Sequence, residues 1–230
     1  MGGVARPTVL LFDIDGTLVT TGGAGRRAME GAFERVTGKR DATRFPFAGM
    51  TDRAIVRVGL QNTGHDAGEA SISLLLASYI ELLVDEVRIA ASYGVYPGIV
   101  EALDTARARA DTAVGLGTGN VREGARIKLS RVGLYERFAF GGFGCDDEDR
   151  AALLAKGAAR GAELLGRPRA ECRVVVIGDT VRDVDAGLAI GAEVLAVGTG
   201  GEDLARLSER GATWAFADLG TPGALDALLG

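Results

Sequence analysis

Three short stretches of the chain carry side chains that could do chemistry together. The first, Asp13-Ile14-Asp15-Gly16-Thr17, sets two carboxylates two residues apart. On an extended chain such positions share a face, so one carboxylate can attack an electrophile while the other manages protons. Turn acids that cap the next helix would account for one Asp, but poorly for two at the end of a buried strand. The second, Gly178-Asp179-Thr180-Val181-Arg182-Asp183, adds two more acids, Asp183 four residues after Asp179. Hard oxygen donors gathered in this way favour Mg²⁺, which is usually held by one or two carboxylates, water and substrate phosphate. An N-cap Asp with a solvated partner explains either residue alone. The third, Leu116-Gly117-Thr118-Gly119-Asn120, offers a hydroxyl, backbone N–H groups and an amide just ahead of a helix, a set that suits a phosphate. This third signal is weak by itself: the chain holds 35 glycines, and the G-x-G-x-x-G fingerprint is not met.

For these stretches to meet, several strand ends must be brought side by side. The runs Thr8–Ile14, Thr112–Leu116, Arg137–Phe140 and Arg173–Ile177 are β-rich, end in glycine or acidic residues and precede helix-like segments. That alternation predicts an α/β fold with a parallel sheet covered on both faces, whose ligands bind beyond the carboxyl ends of the strands. Glu193–Val197 and Thr213–Phe216 extend the sheet, and Val181–Ile190, Asp203–Arg210 and Gly223–Leu229 supply late helices. Between residues 20 and 95 the strand signal disappears. There Ile72, Leu75, Leu76, Tyr79, Ile80, Leu83, Val84 and Val87 follow the spacing of one helical face, with Arg26–Thr37 and Asp52–Leu60 as further helices. The expected organisation is an α/β core of residues 1–19 and 95–230 with a helical insertion at 20–94. Its hinges fall near Thr20–Gly25 and Ser92–Gly98.

Composition narrows the possible partners. A net charge of −5 without a basic cluster argues against nucleic acid. No stretch is apolar enough for a bilayer, since the longest candidate, Ser71–Ile80, runs straight into Glu81, Asp85 and Glu86. Val9–Phe12 is too short for a secretory signal, and Arg6 stands where a Met-Gly acylation signal requires Ser or Thr. Cys145 and Cys172 form neither a disulfide framework nor a metal spacing and read as small buried hydrophobes, so a cytoplasmic location is expected. Arg26-Arg27 reads as a solvated helix face, His65 as an exposed loop residue, and Gly198-Thr199-Gly200-Gly201 as a turn. Capping and contact with substrate explain Thr51, Asp52 and Arg53 about equally well.

Asp13-x-Asp15-Gly-Thr, a strand-terminal Thr118 and Gly178-Asp179-x-x-x-Asp183, in that order and at those intervals, resemble the haloacid dehalogenase superfamily, and within it the phosphoglycolate phosphatase-like branch. The resemblance spans essentially the whole chain. It implies a Rossmann-like core with a helical cap after the first strand, and Mg²⁺-dependent hydrolysis of a small phosphorylated metabolite. Asp13 would attack phosphorus and become an aspartyl phosphate, and Asp15 would act as acid and then base. Mg²⁺ would sit among the Asp13 carboxylate, the Asp15 carbonyl and Asp179, with Asp183 orienting metal-bound water. Thr118, with N–H groups near Gly119 and Asn120, would hold phosphate oxygens. The resemblance also calls for a Lys or Arg between the second and last motifs. Arg150 fills that place, although the usual Lys-Pro reads Arg150-Ala151 here; Lys128 and Lys156 are the fallbacks, each readable as a solvated helix residue. A dehalogenase or phosphonatase is disfavoured by the presence of Asp15. A sugar phosphomutase, or a catalytically silent binding module on the same fold, is the alternative. A dinucleotide-dependent oxidoreductase lacks its fingerprint.

Overall fold

The structure is a computed structural model and describes residues 6–230; residues 1–5, including the Met-Gly opening, lie outside the described residues. Thr8–Phe12 (β1) forms the centre of a parallel sheet, between Thr112–Thr118 (β4) and Arg173–Gly178 (β6). Phe140–Phe143 (β5) flanks β4; Glu193–Val197 (β7) and then Trp214–Phe216 (β8) extend the opposite side. Every residue of β1 is buried, and the unbroken apolar run Val9–Phe12 is what a twice-covered sheet requires. Leu10 and Phe12 pack toward Ile99–Arg107 (α4), Arg122–Ser130 (α5) and Ala224–Leu229 (α9). Val9 and Leu11 face Arg150–Leu164 (α6), Val181–Ala189 (α7) and Leu204–Glu209 (α8). Phe12 is in register with both Leu116 and Ile177, so the three central strands end together and present Asp13, Thr118 and Asp179 at one edge.

Between β1 and β4 the chain leaves and rejoins the core through a short antiparallel ribbon, Val19–Thr20 (β2) with Gly94–Val95 (β3). The helices between them, Ala24–Thr37 (α1), Asp52–Asn62 (α2) and Glu69–Ile89 (α3), enclose an apolar cluster of their own around Phe33, Leu60, Leu75 and Leu83. Ile72, Leu75, Tyr79, Leu83 and Val87 of the expected stripe are buried. Val84 is not; it is half exposed, one residue and therefore about 100° round the helix from Leu83. Ile127 of α5 joins this cluster, so the insertion packs on the core as well as on itself.

The sequence reading is corrected at β1 and β5. β1 stops at Phe12, two residues earlier than expected. The run Arg137–Phe140 is mostly not strand: Tyr135–Arg137 is a 3₁₀ turn, and β5 begins only at Phe140. Gly141 and Gly142, which resemble turn formers, lie inside β5; at Gly142 α6 crosses so closely that a Cβ would overlap the Leu153 carbonyl, and at Gly141 a Cβ would crowd Leu116 and the Phe143 ring. Cys172 is buried, whereas Cys145 is exposed rather than packed. His65 is exposed as expected. Among the described residues no helix is long and apolar enough to cross a membrane.

Candidate active site

Asp13 extends the sheet by one rung, its N–H donating to the Ile177 carbonyl at 2.9 Å. The chain then turns, with Gly16 at a φ of 84°, a conformation that suits glycine. Asp13 and Asp15 therefore do not share a face of one straight strand. Both line a single cavity of about 350 Å³, but each meets a different cation. Asp13 Oδ2 lies 3.2 Å from the Arg150 guanidinium. Asp15 Oδ2 accepts from Lys128 Nζ at 2.6 Å and from the Asn120 amide at 2.9 Å.

Around Asp13 the acids outnumber the cations. Asp13, Asp179 and Asp183 offer oxygens within 4.8 Å of one another, and all three residues are buried. Burial lifts the Asp13 carboxyl to about 6; Arg150 works against the rise, and Asp183 and Asp15 add to it. Burial, reinforced by Asp183 and Asp13, holds Asp179 well above the usual carboxylate range. Asp179 Oδ1 accepts from the Thr17 hydroxyl at 2.8 Å. Its Oδ2 has no side-chain donor among the described residues and points between Gly16 and Gly200, where a Cβ on either would overlap it. A carboxylate oxygen without a side-chain donor, on a buried residue that lines the cavity beside a second carboxylate, suits a hard divalent cation such as Mg²⁺. Asp183 is different, because both its oxygens are taken. Oδ1 accepts from Arg150, and Oδ2 from the Thr180 N–H (3.1 Å) and hydroxyl (2.6 Å) in the capping box that starts α7.

Of the three basic candidates, the structure brings two to the cavity. Arg150, the first residue of α6, reaches Asp13 and Asp183, and its carbonyl partner is Gly49 (3.3 Å). Lys128 is not solvated but only 3% exposed, and it donates to Asn120 Oδ1 at 2.6 Å as well as to Asp15. Burial pushes the Asp15 carboxyl up, but the Lys128 charge together with hydrogen bonds from Lys128, Asn120 and Thr21 leaves it below the ordinary value. Lys156 stays at the surface with Asp147. Thr118 is fully buried; its oxygen accepts from the Asn120 N–H and amide, and its hydroxyl lies on the Asp13 side, where it works against the rise in the Asp13 carboxyl. Asn120 is thus largely occupied in tying Thr118, Asp15 and Lys128 together. Gly119 borders the cavity and accepts from the Asp52 N–H at 2.8 Å.

The insertion closes the other side. Thr51 caps α2 and also donates to the Glu148 carbonyl at 3.1 Å, while Arg57 grips the Glu148 carboxylate at 2.9 Å. Asp52 is buried in the cavity wall, and its Oδ2 accepts from the Val121 N–H at 2.8 Å. Burial lifts its carboxyl to about 6 against the opposing pull of Lys128. Arg53 pairs with Glu69 instead of facing the site. Arg26, read as solvated, borders the cavity with its guanidinium over the Phe47 ring, and Thr199 and Gly200 contribute to the wall from their 3₁₀ turn. Sequence reasoning read Tyr79 only as part of a packing stripe, gave Thr17 no part beyond its place in the first motif and ranked Lys128 low; the tertiary fold sets Thr17 against Asp179 and brings Tyr79 and Lys128 to the cavity.

No curated protein matches the chain. Solved structures do. A hydrolase from Pseudomonas syringae is 22% identical with a TM-score of 0.70, covering 98% of this chain and 100% of its own. A predicted phosphoglycolate phosphatase from Haemophilus somnus 129PT is 14% identical (TM-score 0.68; 98% and 99% covered). CbbY from Rhodobacter sphaeroides, in complex with phosphate, is 18% identical (TM-score 0.70; 97% and 99% covered). At these identities the likeness is one of fold. The family model for haloacid dehalogenase-like hydrolases matches residues 7–191, which hold all the motif acids, and on that match the chain belongs to the haloacid dehalogenase-like hydrolase family.

Proposed function

We propose that the chain is a Mg²⁺-dependent phosphatase that hydrolyses a small phosphorylated metabolite through a phosphoaspartate on Asp13. One observation carries the reading. Two carboxylates two residues apart line one cavity in opposite electrostatic settings, Asp13 beside Arg150 and the acid cluster, and Asp15 beside Lys128. Groups whose surroundings push their pKa values apart are suited to different tasks.

The carboxylates of Asp13 and Asp179 and the backbone carbonyl of Asp15 would hold the ion, which when bound supplies positive charge against the phosphoryl oxygens. An Asp13 oxygen forms the new bond to phosphorus as the bond to the leaving oxygen breaks, and Asp15 delivers a proton to that oxygen. Lys128 keeps Asp15 ionised at rest, so the proton arrives with a phosphomonoester, whose second ionisation lies near about 6. Asp15, ionised again, takes a proton from the water that cleaves the acyl phosphate. Arg150 and the Thr118 hydroxyl face Asp13 and would steady the transferring oxygens. Asp183, saturated by Arg150 and Thr180, acts through Arg150. The helical insertion would work as a lid swinging on the β2–β3 ribbon, released when the Thr51, Asp52 and Arg57 contacts part. The free cysteines fit a reducing cytoplasm.

The deciding measurement is phosphate release by purified protein with Mg²⁺ across a panel of phosphorylated metabolites. Turnover is expected with at least one ester and is abolished by chelator. An isomeric sugar phosphate in place of free phosphate would mark a mutase, and full turnover in excess chelator would sink the metal assignment.

Metal and proton should also compete in the thermal stability. Because Asp13 and Asp179 have raised values in the folded protein, the metal-free fold binds more protons than the unfolded chain as pH rises through the window from 3.8 to about 6, and it loses stability there. Mg²⁺ should therefore raise the melting temperature strongly at pH 7.5 and far less below pH 6. A Mg²⁺ shift that grows as pH falls would contradict the ligand set.

A further inference from the structure

Beyond Asp15 the cavity continues into the insertion, and its polar groups there are few. Lys128 Nζ has three hydrogens, of which Asp15 and Asn120 take two. The Tyr79 hydroxyl, on a residue only 1% exposed, makes no side-chain hydrogen bond among the described residues. A Cβ on Gly25 would stand 3.2 Å from Lys128 Nζ and 3.8 Å from that hydroxyl, so both look onto the same bare stretch of α1. Asp52 gives one oxygen to the Val121 N–H, and the other has no donor among the described residues. Met29, Met50 and Ile55 supply the apolar wall between these groups. Arg26, the insertion's own cation at the cavity, is already engaged with the carbonyls of Thr43 (3.3 Å) and Phe45 (3.2 Å) and with Phe47.

Each kind of leaving group meets this set differently. A carboxylate can only accept hydrogen bonds, and it would be driven against the buried Asp52 carboxylate. An ammonium can only donate, and it would be driven against Lys128. A hydroxyl does both: it donates to Asp52 and accepts from Lys128 or Tyr79. We infer that the leaving group is uncharged and hydroxyl-bearing, so that the substrate is a polyol or sugar monophosphate, and that Asp52 is the residue excluding carboxylate-bearing esters. This rests on the phosphatase reading above and narrows it.

The test compares kcat/KM at pH 8 with Mg²⁺ for erythritol 4-phosphate, 2-phosphoglycolate and phosphoethanolamine. Erythritol 4-phosphate is expected to lead each of the others by at least about tenfold, since an unpaired buried polar group discriminates strongly. Asp52→Asn keeps an acceptor for Val121 while removing the charge, and it should shrink the margin over 2-phosphoglycolate by about tenfold or more, chiefly through KM. A wild-type preference for 2-phosphoglycolate or phosphoethanolamine overturns the inference. So does an Asp52→Asn loss shared equally by all esters, the mark of a merely structural residue. Calorimetric titration of the same esters into Asp13→Asn protein reads the binding order without turnover. If that order holds while no ester releases phosphate, the phosphatase reading fails and the pocket assignment stands; if phosphate is released but 2-phosphoglycolate binds best, the reverse is true.

Discussion

Asp13→Asn should reduce turnover to background, a loss on the order of 10⁴–10⁶, and should never carry a phosphoryl group, because on the proposed mechanism both the nucleophile and a metal-binding oxygen are removed. Asp15→Asn should fail at another point. Its neighbour can still attack, but an ordinary phosphomonoester no longer finds a proton donor and water no longer finds a base. An aryl or acyl phosphate needs no donor, so it should still phosphorylate Asp13, and with hydrolysis slow the phosphoenzyme should accumulate. Rapid acid quench followed by intact mass reads one added phosphoryl group. If Asp13→Asn acquires the group and Asp15→Asn never does, the two roles are assigned wrongly.

The second large effect concerns the two buried cations, which the structure pairs with different acids of the cavity. Arg150→Ala removes the guanidinium that, among the described residues, pairs with both Asp13 and Asp183, and leaves buried carboxylates uncompensated. A loss of about 3–5 kcal/mol in stability at neutral pH is expected, shrinking as the acids protonate, together with about a thousandfold fall in turnover. Arg150→Lys should recover part of the stability but little of the turnover, since an ammonium cannot span both acids with one planar fork. Lys128→Met should act mainly on Asp15. With its cation gone, burial pushes the Asp15 carboxyl up, so the pH below which the hydrolytic step fails moves upward, and turnover at pH 7 falls about a hundredfold. Denaturant midpoints and pH–rate profiles separate the two. Unchanged stability in Arg150→Ala, or an unshifted acid limb in Lys128→Met, would remove the corresponding residue from the scheme.

How far these arrangements can be read from sequence depends on the range of the cause. Val174 to Ile177 is an unbroken β-branched run, and its strand was legible to within a residue, because burial on both faces of a parallel sheet writes itself locally. Asp13, Thr118 and Asp179 stand where such runs end, and Asp183 follows on the first turn of α7. β5 was obscured because Gly142 answers to the approach of α6 and Gly141 to that of Leu116 and the Phe143 ring, which no local pattern records. Lys128 follows Gly124 by one helical turn on the buried face of α5, a faint signal easily outweighed by the general expectation that lysines are solvated. Asp52 and Tyr79 belong to the insertion, and their relation to Asp15 exists only once it has closed over the sheet.

The central place of β1 also governs the order in which this molecule can be built. Thr8 pairs with Thr112 on one side and with Arg173 on the other, so during synthesis the strand bearing Asp13 emerges first and finds its partners last. Meanwhile α1, α2 and α3 are contiguous and complete most of their own cluster early. The nascent chain thus passes through a stage with a folded helical unit and an unpaired first strand that is apolar from Val9 to Phe12, a species prone to association until β4 and β6 arrive. Ribosome-bound intermediates shorter than about residue 178 should therefore depend on chaperones for solubility, and the catalytic pocket comes into being only after the last of its three strands leaves the exit tunnel.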